Sequence, residues 1–324
     1  MGRCDIGTLA APADHYPWVF EGAACGPGRG GDGGVVTLDA DTQITDLRLN
    51  DHACLTFGES EELLDLTAAY IRDGLAAGLR VVWLSEEPQG ALIELSRRGI
   101  AVDSTAATGR VEIAACQDGL LAGQNFAVEH AMGWLRAQMA LTESEGYSGL
   151  RVALDMSWAL RPISGIEQLP MFEEEIAAAL SGTRASVLCQ YDRDRFDPVT
   201  LASVSAYHTR SVAAATYHYD PLLRICRQYA PPGIRLAGQI DRTAEDSLAL
   251  ALAEAIRVDG DITVNMVELS FIDLLCARMI IDAARSVAPA RKVVLYCNST
   301  VAARFVLLGA TGIPGVSLVT VHDR

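Results

Sequence analysis

From Asp51 onward the chain alternates short apolar runs with amphipathic stretches of helical period, and this alternation constrains the fold more than any other feature. A short apolar run between two helical patterns is buried most readily in a parallel sheet, because each helix carries the chain back across the sheet face. Strands are predicted over residues 52–57, 81–84, 110–114, 150–154 and 186–191. Helices are predicted over 60–77, with Ser60 as N-cap, Glu61 and Glu62 in the first turn and Gly78 past the end, and over 88–98 between Pro88 and Gly99. Further helices are predicted over 126–144 (apolar stripe Phe126, His130, Trp134, Leu141), over 166–180 with a bend near Pro170, and over 198–208.

A second unit begins near Asp220-Pro221. Residues 222–227 and 234–239 flank Ala230-Pro231-Pro232-Gly233 and read as a hairpin. Helices over 244–257, 274–287 and 301–308 (capped by Ser299, stopped by Gly309) then alternate with strands over 262–267, 293–297 and 316–321. The predicted organisation is a flexible Gly/Pro-rich leader (1–44), an α/β domain (45–219) and a small α/β domain (220–324). Spaced glycines in the leader have no strand before them and no helix close behind, so they do not form a dinucleotide motif.

Charge narrows the partners. A net charge of -15 repels nucleic-acid backbones and anionic lipid, so neither is expected as a direct partner. No apolar run reaches the roughly 18 residues of a membrane span, and the first residues lack a signal-peptide core, which predicts a cytoplasmic protein. Eight cysteines without a C-x-x-C pair fit reduced, buried thiols. Lys292 is the one lysine, so no phosphate-loop lysine or Schiff-base lysine precedes it.

Several side chains could carry chemistry. His52 and Cys54 are two apart on a strand and share a face. They could begin a metal site whose other ligands come from elsewhere, with Cys189 and His208 as candidates, or they could simply pack and hydrogen-bond. Glu86, Asp155 and Asp192 follow strand ends and are expected to converge at the carboxyl edge of the sheet, where open parallel sheets bind ligands. Equally, Asp155 could cap the next turn through Ser157. The segment Gly58-Glu59-Ser60-Glu61-Glu62 has one glycine, no lysine and three carboxylates, and so repels triphosphate. Ser157, Cys189 and His208 lack the G-x-S-x-G context of a nucleophile elbow.

Two resemblances follow from these residues. Asp51-His52-Ala53-Cys54, Gly74-Leu75, Asp155-Met156-Ser157-Trp158, Leu188-Cys189-Gln190-Tyr191-Asp192 and His208 resemble the MEDS sensory domain. That family is a RecA-like relative with a degenerate phosphate loop, and the resemblance implies small-molecule sensing. Gly238-Gln239-Ile240-Asp241, Asn265-Met266-Val267 and Phe271-Ile272-Asp273 resemble the STAS domain of anti-sigma-factor antagonists. Antagonists continue Ser-Ser-Gly-Leu, with the second Ser as phosphoacceptor. Leu274, Leu275, Cys276 and Ala277 stand here and cannot be phosphorylated.

The resemblances imply an α/β fold, a RecA-like mostly parallel sheet with helices on both faces followed by a STAS-type domain. They imply a non-catalytic signalling protein with a small-ligand site among His52, Cys54, Glu86, Asp155, Cys189, Asp192 and His208. The ligand classes are a metal, with His52 and Cys54 as candidates, or a small organic molecule. An anti-sigma factor or related kinase would dock at Asp241, Asp273, Leu274, Leu275 and Cys276, and a homodimer is compatible with this reading. The alternatives are a RecA-like enzyme with residual nucleotide or hydrolytic chemistry, and a structural assembly protein.

Overall fold

The computed structural model describes residues 42–102 and 109–321. The predicted leader lies outside the described residues up to position 41. Beyond that point Thr42 bridges Val212, and Ile44 is buried in the first core.

The first sheet contains β1 (His52–Phe57), β2 (Arg80–Ser85), β3 (Val111–Ala115), β6 (Leu150–Asp155), β7 (Ala185–Asp192) and β8 (Arg210–Val212). Its order is β3-β2-β6-β7-β1-β8, and every pairing is parallel. A two-residue pair, β4 (Leu121–Ala122) with β5 (Asn125–Phe126), stands apart. The expected α/β class is therefore observed. One face of the sheet is covered by α1 (Ser60–Ala76) and α2 (Pro88–Arg97), and the other by helices that include Leu169–Leu180.

The second sheet joins β9 (Thr216–Tyr219), β10 (Leu223–Tyr229), β11 (Pro232–Ile240), β12 (Ile262–Met266), β14 (Val293–Asn298) and β15 (Val316–Val321), with β13 (Leu269–Ile272) paired to β11. Its core is built by Ile234, Leu236, Val264 and Leu295 with Leu248, Ile280 and Phe305 of the covering helices. Gly238 shows why the Gly-Gln-Ile-Asp segment needs glycine. Its φ is 98°, and a Cβ there would lie 2.0 Å from the Leu222 carbonyl oxygen. Gly238→Ala is expected to destabilise by about 1–3 kcal/mol or more, read by urea unfolding.

Local differences from the sequence reading have simple causes. The helix expected from Phe126 starts at Val128, because Phe126 lies in β5. Its buried stripe is Val128, Ala131, Met132, Leu135 and Thr142, while His130 and Leu141 are exposed. Glu59, not Ser60, takes the N-cap position of α1, and Asn298, not Ser299, caps the Ser299–Leu307 helix through Val301 N. Pro170 sits in the first turn of the Leu169–Leu180 helix, where a missing N–H costs nothing, so no bend is needed. The helix after β7 ends at Ser205 and leaves His208 in the following loop.

Helix α1 is shared by both sheets. Its first turns carry Glu59, Glu61, Glu62 and Asp65 against β10, β11 and β12. Glu62 accepts from Arg193 (2.7 Å), Arg224 (2.8 Å) and the Gly58 amide (3.1 Å), and lies 3.7 Å from the buried Arg235 guanidinium. Glu61 accepts from Arg98 (2.7 Å) and Asn265 (2.6 Å). Asp65 accepts the Tyr229 amide (2.9 Å) and the Ala230 amide (2.6 Å). Cys226, Tyr229 and Ala230 join the apolar cluster of the first sheet beneath these contacts.

Asp65 gives the contact a pH signature. Burial pushes its carboxyl up from 3.8 to about 6, more than the nearby guanidiniums and backbone amides pull it down. Between about 6 and 3.8 the folded protein therefore holds a proton that the unfolded chain releases. Asp65 thus adds stability as pH falls through that window, and its contribution is least above pH 6. Asp65→Asn is expected to remove this slope, changing the wild-type-minus-variant stability by about 2 kcal/mol between pH 7 and pH 4 in denaturant titrations.

Candidate functional site

Strand β1 sends His52 and Cys54 to the face covered by the Leu169–Leu180 helix, as period two requires. Cys189 is the register partner of Cys54 on β7, so it lies beside them. The loop after Ser205 returns to β1, where the Thr209 amide donates to the His52 carbonyl (2.8 Å), and this places His208 over the same face. The helix adds Glu173, which is fully buried.

These four groups converge. The Glu173 Oε2 atom is 3.0 Å from His52 Nε2, 3.4 Å from His208 Nε2 and 3.5 Å from Cys189 Sγ. Cys189 Sγ is 3.5 Å from His52 Nε2, and all four atoms lie within 4.8 Å of one another. The Tyr191 hydroxyl donates to the other oxygen of Glu173. The two imidazole rings lie with centroids 4.0 Å apart.

Burial dominates the electrostatics. It lowers His208 from 6.5 to about 4, outweighing the attraction of Glu173. It raises Cys54 to about 12 and Cys189 and Tyr191 well above their ordinary values, with Glu173 adding to each. Glu173 itself is pushed up by burial, yet the imidazoles and the Tyr191 hydroxyl hold it below its ordinary value. His208 Nδ1 lies 2.8 Å from the Val204 carbonyl, to which it can only donate. In the neutral ring this leaves the Nε2 lone pair facing the cluster, buried and without a hydrogen-bond partner.

The other sequence-derived residues lie elsewhere. Asp155 accepts from the Ser157 amide (2.9 Å) and the Glu86 amide (3.2 Å), so it caps the turn after β6 and ties it to the end of β2. Glu86 lies 3.4 Å from Arg161. Asp192 caps its own turn by accepting from the Asp194 amide (2.9 Å). Among the expected ligand-site residues, His52, Cys189 and His208 meet at the buried centre and Cys54 lies beside it, whereas Glu86, Asp155 and Asp192 do not join it. Glu173 was not singled out in the sequence.

Beside the second sheet, Asp273 caps the Leu274–Val287 helix through the Cys276 amide (2.8 Å), and its own amide donates to Ile240 O (3.0 Å), next to Asp241. Leu274 (66%), Leu275 (42%) and Phe271 (40%) are exposed there. Cys276, expected at this docking surface, is instead buried in the second core, because the helix phase turns its side chain inward.

The fold and site together define an α/β protein whose first sheet and its covering helix enclose a polar centre of two histidines, a glutamate and a cysteine. Residues 51–209 match the MEDS family model, described as the methanogen/methylotroph, DcmR sensory domain. Two solved structures are similar. One is a KaiC-like protein from the hyperthermophilic archaeon Pyrococcus horikoshii (11% identity, TM-score 0.42), covering 58% of this chain and 80% of that one. The other is the flagellar accessory protein FlaH from Methanocaldococcus jannaschii (10% identity, TM-score 0.38), covering 58% and 83%. No curated protein sequence matches this chain. Among the described residues no helix is long and apolar enough to cross a membrane.

Proposed function

We propose that this is a non-catalytic signalling protein. Its first domain senses a small ligand at the His52–Glu173–Cys189–His208 centre, and its second, STAS-like domain binds a regulatory protein of the anti-sigma factor or kinase class. The observation that carries this reading is the route from the centre to the second domain. On β7, Cys189 and Tyr191 face the centre, while Ser186 and Gln190 point to the opposite face. There Gln190 donates to Thr67 (2.7 Å) and Ser186 pairs with Tyr70 (2.8 Å), both on α1. The same helix holds the second domain through Glu61, Glu62 and Asp65. A change that moves β7 at the centre is felt by α1, and a ligand acts through it by favouring one arrangement of that helix.

The filling of the α1 N-terminus supports the non-catalytic part. At this helix end a phosphate-binding protein presents free amides. Here the Gly58 amide is taken by Glu62, and guanidiniums from Arg193 and Arg224 occupy the acidic surroundings. The exposed Leu274 and Leu275 beside Asp241 and Asp273 offer an apolar docking turn without a phosphoacceptor.

The test is a binding assay of purified protein with anti-sigma kinases. Wild type is expected to be retained, and Leu274→Asp to lose at least about tenfold in affinity, as expected when a central apolar contact is lost. Equal retention of both, or of neither, contradicts the docking assignment. ATP turnover by wild type that exceeds that of Asp155→Ala contradicts the non-catalytic assignment.

A further inference from the structure

We infer that the His52–Glu173–Cys189–His208 centre binds one divalent first-row transition ion of the zinc class through His52 Nε2, Glu173 Oε2, Cys189 Sγ and His208 Nε2. This deepens the sensory reading of the same centre by naming its ligand class.

The geometry carries the assignment. Tetrahedral zinc with bonds of about 2.0–2.3 Å sets its ligand atoms roughly 3.3–3.8 Å apart. Four of the six pairwise separations are 3.0, 3.4, 3.5 and 3.5 Å, and all are within 4.8 Å. Small side-chain adjustments therefore suffice to bring four donor atoms around one ion. The donors come from β1, the Leu169–Leu180 helix, β7 and the loop after Ser205, so one ion would join four elements.

The chemistry points the same way. His208 donates through Nδ1 to a backbone carbonyl, the arrangement that fixes the tautomer and orientation of a metal-bound imidazole. Its Nε2 atom lies 3.4 Å from the Glu173 carboxylate oxygen, buried and without a hydrogen bond. A cation between the two atoms gives each of them a bond in a water-excluded site. Mixed imidazole, carboxylate and thiolate donors suit zinc and its first-row neighbours. On binding, the Cys189 thiol loses its proton to solvent, and the sulfur forms the metal bond as thiolate. Four protein donors leave no open position, so the ion acts by holding the four elements together rather than by activating water.

Cobalt(II) is the probe, because tetrahedral cobalt absorbs in the visible and a cobalt–thiolate bond adds a near-ultraviolet charge-transfer band. The full chain is expected to bind one equivalent with both features. Cys189→Ser is expected to lose the charge-transfer band and keep visible absorption. His208→Asn is expected to weaken cobalt binding by at least about tenfold. Cys54→Ser is expected to keep both features, since Cys54 is not one of the four donors. Circular dichroism establishes that each variant is folded, and if Cys189→Ser does not fold, the His208→Asn affinity decides. Folded wild type without tetrahedral cobalt absorption, a thiolate band lost in Cys54→Ser, or unchanged affinity in His208→Asn overturns the proposal. Such a failure leaves the sensory reading intact, because that reading is tested by coupling between the centre and the second domain. Metal binding without coupling leaves a structural ion and removes the sensory reading.

Discussion

Glu62→Leu is expected to destabilise the protein by about 3–5 kcal/mol, since removing one partner of a buried charge cluster leaves the others uncompensated. Glu62 is nearly fully buried and receives hydrogen bonds from Arg193 and Arg224. Arg224 retains Glu59 at 2.8 Å and keeps a partner. Arg235 keeps only Glu59, at 4.0 Å. Its guanidinium is buried, its nitrogens have no hydrogen bond, and Glu62 at 3.7 Å is its nearest carboxylate, with Glu59 at 4.0 Å. Burial works against its charge, and Glu62 is the largest influence sustaining it. The single variant therefore leaves Arg235 with the weaker Glu59 contact alone. Adding Arg235→Met is expected to recover a large part of the loss, because an apolar chain of similar length removes the buried charge together with its need for a partner. Urea unfolding of the two single variants and the double variant gives the coupling directly. Simple additivity of the single effects would show that the two residues do not depend on each other.

Glu173→Leu is expected to have an effect of similar size, about 3–5 kcal/mol, for a related reason. The carboxylate is the shared partner of His52, Tyr191 and Cys189, and its loss leaves three buried polar groups facing an apolar side chain. Glu173→Gln keeps the volume and one acceptor oxygen, so it is expected to cost less. The difference between the two variants in denaturant midpoint isolates hydrogen bonding at the centre from packing.

Much of the fold is legible in the sequence, because strand and helix periods survive wherever one face is buried. His52 and Cys54 can be paired from their spacing alone, since residues two apart on a strand share a face. Glu173 is harder to find because it stands in the run Glu173-Glu174-Glu175, which looks like a solvated helix face. The signal is its phase. Leu169, Phe172, Ile176 and Leu180 form the buried stripe, and Glu173 falls within it while Glu174 falls outside. A carboxylate on an apolar stripe needs a partner from another element, and that partner is set by tertiary packing.

The contact between the sheets was hidden for a different reason. Arg235 alternates with Ile234 and Leu236 on β11, the pattern of a strand with one face in water. The face is covered by α1, whose acidic first turns read in isolation as ordinary N-terminal charge. Sequence shows each half of the contact as surface, and only the fold puts the halves together. The carboxyl-edge acids are engaged locally, and Asp155 also takes the Glu86 amide at the end of β2. Asp155 and Asp192 accept from the amides of the turns that immediately follow them.

The buried centre and the second sheet are joined through β7 and α1. Amide hydrogen exchange in wild type and Glu173→Gln tests it most directly, followed at Tyr229 and Ala230, whose amides are held by Asp65, and at Leu295 within the second core. The variant is expected to change exchange at Tyr229 and Ala230 by more than at Leu295. A change confined to the neighbours of Glu173, with Tyr229 and Ala230 behaving as Leu295 does, would contradict it.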